Sequence, residues 1–187
     1  HTIVSSQGSL VREQWPDVRV FPSLAEALAD RGIDLVVLAT PNALHAEQAH
    51  AALDAGKHVV VDKPFTVTVA EAESVVAHAE RIGRVLSVFH NRRWDSDFLT
   101  VRKLIAEGAL GEVTYFESRF DRYRPVVRDR WRERAGAGAG LWYDLGPHLV
   151  DQALQLFGPP TELMADLAIQ REGAHVDDYF HVVMRYP

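Results

Sequence analysis

The stretch Val59-Val60-Val61-Asp62-Lys63-Pro64-Phe65 decides the fold that the sequence predicts. Its β-branched apolar run ends abruptly at a carboxylate, an amine and a proline, a pattern typical of a buried parallel strand that delivers polar groups to a cleft. Ligands of open α/β sheets bind beyond the carboxyl ends of the strands, so Lys63 is a candidate functional residue. Pro64 restricts the backbone before it and so fixes the direction in which the amine leaves the strand. The alternative is a solvated lysine in a strand-to-helix turn.

Composition restricts the class of protein. The chain has 187 residues, of which 47% are hydrophobic and 25% charged, as in a soluble globular protein with a sizeable core. A net charge of −6 argues against a general nucleic-acid binder, which needs a basic surface. The chain has no cysteine, which excludes disulfides, thiolate metal sites and a cysteine nucleophile. No apolar run approaches the roughly 20 residues of a membrane span and no signal peptide opens the chain, so we expect a cytoplasmic protein with no membrane partner.

Strand and helix signals alternate in the first half of the chain. Short strands at 2–4 and 18–21 precede apolar strands at 33–39, 58–61 and 85–89, with helices at 10–14, 24–28, 43–55 and 69–81 between them. Ser23 and Glu26 form a capping-box pattern at one helix start. This spacing is typical of βαβ units, and predicts a Rossmann-like α/β domain with one parallel sheet and helices on both faces.

The period of the pattern changes after residue 92. A helix at 98–106, a long segment of β character at 113–123, a helix at 149–157 and strands at 162–170 and 178–185 predict an α+β domain with a mostly antiparallel sheet. We therefore expect a dinucleotide-binding domain over 1–92 and a substrate and oligomerisation domain over 93–187. Because the chain starts and stops at predicted strands, we expect both domains to be truncated, at the N-terminus and the C-terminus respectively.

The segment Asp144-Leu145-Gly146-Pro147-His148 is the second chemical signal. Pro147 suits the first turn of a helix, which would place His148 at the helix N-terminus and Asp144 about one turn before it. The partial positive charge of a helix N-terminus disfavours imidazolium, so His148 is expected to be neutral and able to accept a proton. The alternative is that Asp144 caps the helix and His148 is an ordinary surface residue.

Two weaker signals concern a nucleotide. Thr40-Pro41-Asn42 with His45 ends a strand and opens a helix, where backbone N–H groups can meet a phosphate or ribose, although an ordinary turn gives the same pattern. Ser5 and Ser6 follow a strand at the place where dinucleotide-binding units often carry an acidic residue for the ribose. Two serines tolerate a 2′-phosphate, which favours NADP over NAD.

Arginines and histidines raise two further possibilities. A segment rich in arginine and aromatic residues, 119–134, would suit a nucleic-acid surface, but Glu117, Asp121, Asp129 and Glu133 are interleaved with it and favour a paired, solvated or pocket-rim segment. Nine histidines raise the question of a metal, but no pair has the H-x-x-x-H spacing of one helical face. We expect neither nucleic acid nor metal.

Taken together, the motifs resemble the Gfo/Idh/MocA family of nicotinamide-dependent oxidoreductases. The matching features are Ala39-Thr40-Pro41 with His45, the segment 55–59, Asp62-Lys63-Pro64 at the place of the family's Glu-Lys-Pro, and Asp144-x-x-x-His148 with Asp151. The runs 88–95 and 142–145 further resemble the subgroup that includes NADP-dependent scyllo-inositol dehydrogenases.

The resemblance implies a hydride transfer between C4 of NAD(P)H and a carbon of a sugar or cyclitol. It implies that Lys63 and His148 surround the reacting oxygen, with His148 the acid or base and Lys63 polarising the oxygen or relaying the proton, while Asp144 holds a substrate hydroxyl. Arg122 and Tyr123 are expected to contact the substrate. The residues expected to bind the cofactor are Ser5, Ser6, Thr40, Pro41, Asn42, His45, Asp62, Lys63, Asn91 and Arg92.

One motif of the family does not occur in these 187 residues, the glycine-rich phosphate loop. Without its backbone amides a pyrophosphate is poorly held, so we expect this chain to bind cofactor weakly and to be inactive by itself. Unpaired strand edges predict association into a homo-oligomer. The alternative function is a non-catalytic ligand-binding or regulatory protein of the same fold.

Overall fold

The computed structural model describes residues 2–5 and 8–187, so Ser6 of the predicted cofactor site lies outside the described residues. The chain folds into two compact units that are not continuous in sequence. The first comprises His1–Thr40, Leu44–Val61 and Thr68–Ser87, and the second comprises Pro41–Ala43, Asp62–Val67 and Val88–Pro187. The predicted division into domains at residues 92 and 93 stays a prediction.

The first unit carries the predicted alternation of strands and helices. Its elements are β1 (Thr2–Val4), α1 (Gly8–Gln14), β2 (Arg19–Phe21), α2 (Leu24–Ala29), β3 (Leu35–Leu38), α3 (His45–Asp54), β4 (His58–Asp62), α4 (Val69–Ile82) and β5 (Leu86–Phe89). Ser23 caps α2 as predicted, and its hydroxyl accepts a hydrogen bond from the backbone N–H of Glu26. This order of elements confirms a Rossmann-like α/β fold.

The strands of this unit form two sheets rather than the one predicted. β1 pairs in parallel with β2, while β4 lies between β3 and β5 and is parallel to β3. Among the described residues, no strand pairs with members of both sheets, so the two sheets are separate. Within β4 the side chains of Val59 and Val61 are fully buried, as the apolar run predicts.

Helix α4 is defined at both ends by local chemistry. Thr68 accepts a hydrogen bond from the backbone N–H of Glu71, and the Glu71 carboxylate accepts one from the backbone N–H of Thr68, which completes a capping box. Gly83 ends the helix in the left-handed conformation, with φ of 65°. Helix α3 packs on α4, where His50 Nδ1 lies 2.8 Å from His78 Nδ1.

The second unit joins helices to an antiparallel hairpin. Its elements are α5 (Ser96–Ala106), α6 (Leu141–Phe157), β6 (Glu162–Ala168) and β7 (Tyr179–Arg185), with short 3₁₀ turns at Asn91–Trp94 and Trp131–Glu133. β6 pairs with β7 in antiparallel register from Glu162 opposite Arg185 to Ala168 opposite Tyr179. The predicted antiparallel sheet is confirmed. None of the helices in 2–5 and 8–187 is long and apolar enough to cross a membrane.

Two predictions for this unit are wrong. Residues 113–123 form no strand, because a strand requires a hydrogen-bonded partner and none of the strands among the described residues pairs with this segment. Helix α6 begins at Leu141 rather than 149, so Pro147 lies inside the helix. Its missing N–H costs the helix one hydrogen bond, and the surrounding contacts outweigh that cost.

Candidate active site

Lys63 is held where β4 ends. Its backbone N–H donates a 2.8 Å hydrogen bond to Oδ1 of Asp62, and its peptide bond to Pro64 is cis. Its Nζ donates to the backbone carbonyl oxygen of Asp144 at 2.5 Å and to Oδ1 of the same residue at 3.2 Å. The side chain is 11% exposed, so the alternative of a solvated lysine does not apply.

Asp144 lies in the first turn of α6, between two cations. Its Oδ1 is 3.2 Å from Lys63 Nζ and 3.5 Å from Nε of Arg132. The predicted spacing to His148 is observed, because the two residues stand one helical turn apart on the same face. The sequence reasoning did not select Arg132, which stood in a run of seven arginines with no feature to distinguish it.

His148 is neutral for a different reason from the one predicted. It lies inside α6 rather than at a helix N-terminus, so the helix dipole is not the cause. Burial, the Lys63 cation and the Arg92 cation lower the pKa of its imidazole to about 4, against a smaller opposing effect of Asp144. The residue is 6% exposed, and its Nδ1 has no hydrogen-bond partner in the described part of the chain.

Beside this group lies a second cluster, formed by Arg93, Asp151 and His90, to which the sequence analysis assigned no role. Arg93 donates from Nε at 2.7 Å and from Nη2 at 2.5 Å to the two carboxylate oxygens of Asp151, a bidentate pair. His90 Nδ1 is 3.9 Å from Asp151 Oδ2. Burial lowers the pKa of His90, although Asp151 acts in the opposite direction. The available signal was the spacing of Asp144, His148 and Asp151, which puts all three on one stripe of a helix.

Three buried nitrogens in this region lack a hydrogen-bond partner among the described residues. They are Nδ1 of His90, Nε of Arg92 and Nδ1 of His148, as far as residues 2–5 and 8–187 are concerned. The rest of the Arg92 side chain is engaged, with Nη1 donating to Asp95 at 2.7 Å and Cζ 4.5 Å from the centre of the Phe120 ring. Buried polar atoms are nearly always satisfied in proteins, so a cluster of unsatisfied ones indicates a place that receives a ligand or water.

The predicted cofactor residues are distributed over both units. In the first unit, His45 is 1% exposed with Nε2 2.9 Å from the carbonyl oxygen of Thr40, whose hydroxyl donates to Gln48 at 2.7 Å. In the second, Asn42 is buried and its amide nitrogen donates to the carbonyl oxygen of Gly138 at 2.7 Å. Of the remaining predicted residues, Ser5 follows β1, Pro41 precedes Asn42, and Asn91 is exposed.

The predicted substrate contacts line a cavity of the second unit. Arg122 and Tyr123 share the walls of a space of about 1430 Å³ with Asp144 and Arg132. Lys63 and His148 are not among the residues that line it. Tyr123 is 92% exposed, and this volume exceeds the roughly 300–1,000 Å³ of ordinary ligand pockets. Arg122, Tyr123 and Asp144 therefore line the same large cavity, whereas Lys63 and His148 do not.

Among the described residues, three of the seven arginines in 119–134 form ion pairs with the interleaved acids. Arg119 lies 3.0 Å from Asp121, and Arg134 lies 2.7 Å from Asp129. Arg130 donates to Glu133 at 2.6 Å. This agrees with the predicted paired, solvated or pocket-rim segment, because other arginines of the segment line the cavity described above. Within the described residues, no three histidine, aspartate or glutamate side chains form a group that would hold a metal ion.

Family models account for most of the chain. Residues 3–90 match a model described as an oxidoreductase family with an NAD-binding Rossmann fold. Residues 98–187 match the GFO/IDH/MocA C-terminal domain. The chain belongs to the Gfo/Idh/MocA family of oxidoreductases.

Relatives within the Gfo/Idh/MocA family are close in sequence. Over 99% of this chain and 54% of the relative, identity to the uncharacterised oxidoreductase YdgJ of Escherichia coli K12 is 59%. Identity to scyllo-inositol 2-dehydrogenase (NADP(+)) IolW of Bacillus subtilis 168 is 46%, over 98% of this chain and 51% of the relative. The chain thus spans about half the length of the curated relatives it matches.

A solved structure agrees with the Gfo/Idh/MocA fold. The proposed oxidoreductase YPO2259 of Yersinia pestis has a TM-score of 0.92 and 55% identity, and the match covers 100% of this chain and 52% of that one. The resemblance noted from the motifs is thereby confirmed at the level of the family. The roles of individual residues stay predictions.

Proposed function

We propose that the protein containing this chain transfers a hydride between NAD(P) and a sugar or cyclitol, acting at a CH–OH carbon. The observation that supports this most directly is the contact of Lys63 Nζ with Asp144, one helical turn from a buried and neutral His148. An amine, a carboxylate and an unprotonated imidazole can bind a hydroxyl, accept its proton and stabilise the oxyanion that develops. The 46% identity to a relative named as an inositol dehydrogenase agrees with a polyol substrate.

The chain's own residues would handle the proton. His148 is unprotonated above a pH of about 4, so it can accept the hydroxyl proton of the substrate. Lys63 would donate a hydrogen bond to the same oxygen and stabilise the negative charge that develops there. Asp144 fixes the Lys63 amine and would accept a hydrogen bond from a substrate hydroxyl. The nicotinamide, when bound, supplies or accepts the hydride.

The residues proposed to hold the nicotinamide and ribose are those of the predicted set. Arg92 fits this role, because its buried Nε has no partner among the described residues. Asn42 commits one of its two amide N–H groups to Gly138, so its second N–H and its oxygen would serve a ligand. NADP is favoured over NAD by Ser5, which follows β1, and by the NADP(+) in the name of the Bacillus subtilis relative. The other members of the set are Ser6, Thr40, Pro41, His45, Asp62, Lys63 and Asn91.

Three further proposals concern the rest of the molecule. Arg122 and Tyr123 would contact the part of the substrate that reaches Asp144, since all three line one cavity. Association into a homo-oligomer is supported by the exposed apolar side chains of Leu163 and Met164 on β6. The cytoplasmic location stays a prediction.

The proposed function is tested by assaying the natural gene product with NADP⁺ or NAD⁺ and a panel of cyclitols and aldoses, including scyllo-inositol. Absorbance at 340 nm follows the reduced coenzyme. We expect NADP⁺-dependent oxidation of at least one polyol, and loss of it in Lys63→Met. Coenzyme binding with no turnover on any polyol would favour the ligand-binding alternative.

A further inference from the structure

The connection between β6 and β7, residues 169–178, ends in two adjacent aspartates that have different partners. Asp177 contacts the start of α6, the helix that carries Asp144. Asp178 contacts Arg171 of the same connection, and Arg171 contacts Glu133 in the segment that carries Arg132. In the candidate active site, Nε of Arg132 lies 3.5 Å from Oδ1 of Asp144. The β6–β7 connection therefore contacts both the start of the helix that carries Asp144 and the segment that carries Arg132.

Asp177 replaces the missing cap of α6. The helix begins after Gly140, which has no side chain to satisfy the first N–H groups. The carbonyl oxygen of Asp177 accepts from the N–H of Leu141 at 2.8 Å, and its Oδ2 accepts from the N–H of Trp142 at 2.6 Å. A carboxylate at a helix N-terminus is also favoured by the helix dipole. The first turn of α6, with Asp144 in it, is thus fixed by a residue from outside the helix.

Gly140 allows this approach. Its φ is +97°, and a Cβ built on it would lie 2.0 Å from Oδ1 of Asp177. Any other residue at this position would displace the capping carboxylate. The Gly140 N–H also donates to the carbonyl oxygen of Arg132 at 2.9 Å, which links the helix start to the segment before it.

Asp178 and Glu133 hold that segment through a buried ionic network. Arg171 donates from Nε to Asp178 at 2.7 Å and from Nη1 to Glu133 at 3.2 Å, and both carboxylates are 6% exposed at the side chain. Glu133 also accepts from the Arg128 N–H at 3.0 Å and from Arg130 at 2.6 Å. Burial raises the pKa of the Glu133 carboxyl, but these hydrogen bonds outweigh burial and lower it. A buried carboxylate with several charged donors resists displacement, because losing one partner leaves the others uncompensated.

We propose that Asp177, Asp178, Arg171 and Glu133 are positioning residues, which set the Arg132 guanidinium and the Asp144 carboxylate for substrate binding. Asp177 fixes the helix turn that carries Asp144. The network of Asp178, Arg171 and Glu133 fixes the backbone at Glu133, and so constrains Arg132, the residue before it. Among the described residues, none of the four forms a hydrogen bond or ion pair with Lys63 or His148, so their effect is proposed to reach the site through Asp144 and Arg132. The kinetic part of this proposal rests on the proposed dehydrogenase function.

The structural test does not need turnover. We would compare Glu133→Ala, Glu133→Gln, Asp177→Ala and Asp177→Asn in this chain, with Glu172→Gln as the control, because Glu172 is an exposed residue of the same connection. NMR would follow the Nε–H signal of Arg132 and hydrogen exchange at the N–H of Trp142. We expect at least ten-fold faster exchange in Asp177→Ala, near wild-type exchange in Asp177→Asn because its amide oxygen still accepts, and a shifted Arg132 signal in both Glu133 variants.

The kinetic test uses the natural gene product with NADP⁺ and scyllo-inositol. We expect Glu133→Gln to raise KM for the polyol at least ten-fold and to leave the affinity for NADPH unchanged, because a displaced Arg132 and Asp144 would bind the substrate less tightly. A variant that is only less stable would instead show a lower apparent kcat at constant KM. Should Asp177→Ala fail to fold, the Arg132 signal in Glu133→Gln carries the test. A wild-type Arg132 signal in the folded Glu133 variants, or wild-type exchange at Trp142 in a folded Asp177→Ala, would overturn the proposal. If the wild-type enzyme shows no turnover, only the proposed function is contradicted. The positioning proposal is still tested, because the NMR measurements do not depend on turnover.

Discussion

The Nζ atom of Lys63 donates hydrogen bonds to both the backbone carbonyl oxygen and the carboxylate of Asp144, across 81 residues of sequence. Both residues lie in the second unit, Lys63 in the segment 62–67 and Asp144 in the first turn of α6. Neither residue alone distinguishes a functional site from an ordinary turn or helix cap. Their contact, next to a buried neutral histidine, is what supports a site for proton handling.

Replacing Lys63 with methionine should affect chemistry and leave coenzyme binding almost unchanged. Removing a single donor to a developing oxyanion commonly costs roughly 10²–10³ in turnover. The substitution should also raise the pKa of His148, because the Lys63 cation contributes to lowering it. Steady-state kinetics and NADPH fluorescence test the first expectation, and NMR titration of the imidazole tests the second. A loss of NADPH affinity as large as the loss of turnover would indicate a structural lysine.

The buried His148 predicts how stability depends on pH. Its folded pKa of about 4 lies below the ordinary value of 6.5, so between these values the unfolded chain binds more protons than the folded one. The free energy of unfolding should therefore rise as the pH rises from about 4 to 6.5 and fall as the pH falls through the same window. His90, whose pKa is also lowered, acts in the same direction.

Urea titrations of the wild type and of His148→Gln at several pH values between 4 and 7 would check this. Glutamine does not titrate, so the variant should show a smaller increase in the free energy of unfolding across the window. The matched control is His175→Gln, at an exposed histidine. Equal pH slopes for the wild type and His148→Gln would mean that His148 is protonated as easily in the folded state as in the unfolded chain.

The sequence predicted the parts of the site that depend on local pattern. The apolar run 59–61 specified a buried strand, and the spacing of Asp144 and His148 placed the two residues about one turn apart. The start of α6 was predicted eight residues late because Pro147 is a strong local signal for a first turn, whereas the group that caps the real first turn, Asp177, lies 35 residues beyond Trp142. Pairings over such distances, including Arg93 with Asp151, leave no periodicity in the sequence.

The segment 136–140 likewise makes contacts with distant residues that its own sequence does not reveal. As sequence it is a glycine-alanine tract and suggests a linker. In the structure, a Cβ at Gly138 would lie 2.8 Å from Cβ of Asn42 and 3.0 Å from Cγ2 of Val67, so close packing explains the glycine. Composition identifies a flexible residue type, but the neighbours that require it come from other parts of the chain.

Gly138→Ala should therefore destabilise the second unit. Its φ of +73° is strained for alanine at about 1–3 kcal/mol, and the contact with Asn42 adds to this. Gly136→Ala is the matched control, because nothing lies within 4 Å of a Cβ there and no positive φ is involved. Thermal unfolding should show a clear decrease in Tm for the first variant and little change for the second. Equal Tm values would mean that the backbone at 138 adapts without strain.

The coenzyme is the last expectation to test. These 187 residues contain no G-x-G-x-x-G sequence, and a pyrophosphate is held mainly by the amides of such a loop and the helix N-terminus after it. This chain should therefore bind NADPH weakly. A fusion that adds a family glycine-rich strand and loop before Thr2 should bind at least ten-fold more tightly, and NADPH more tightly than NADH. Fluorescence titration of both proteins with both coenzymes measures this. Tight binding by the 187-residue chain alone would show that the phosphates are held by other residues, and binding by neither protein would contradict the nicotinamide assignment.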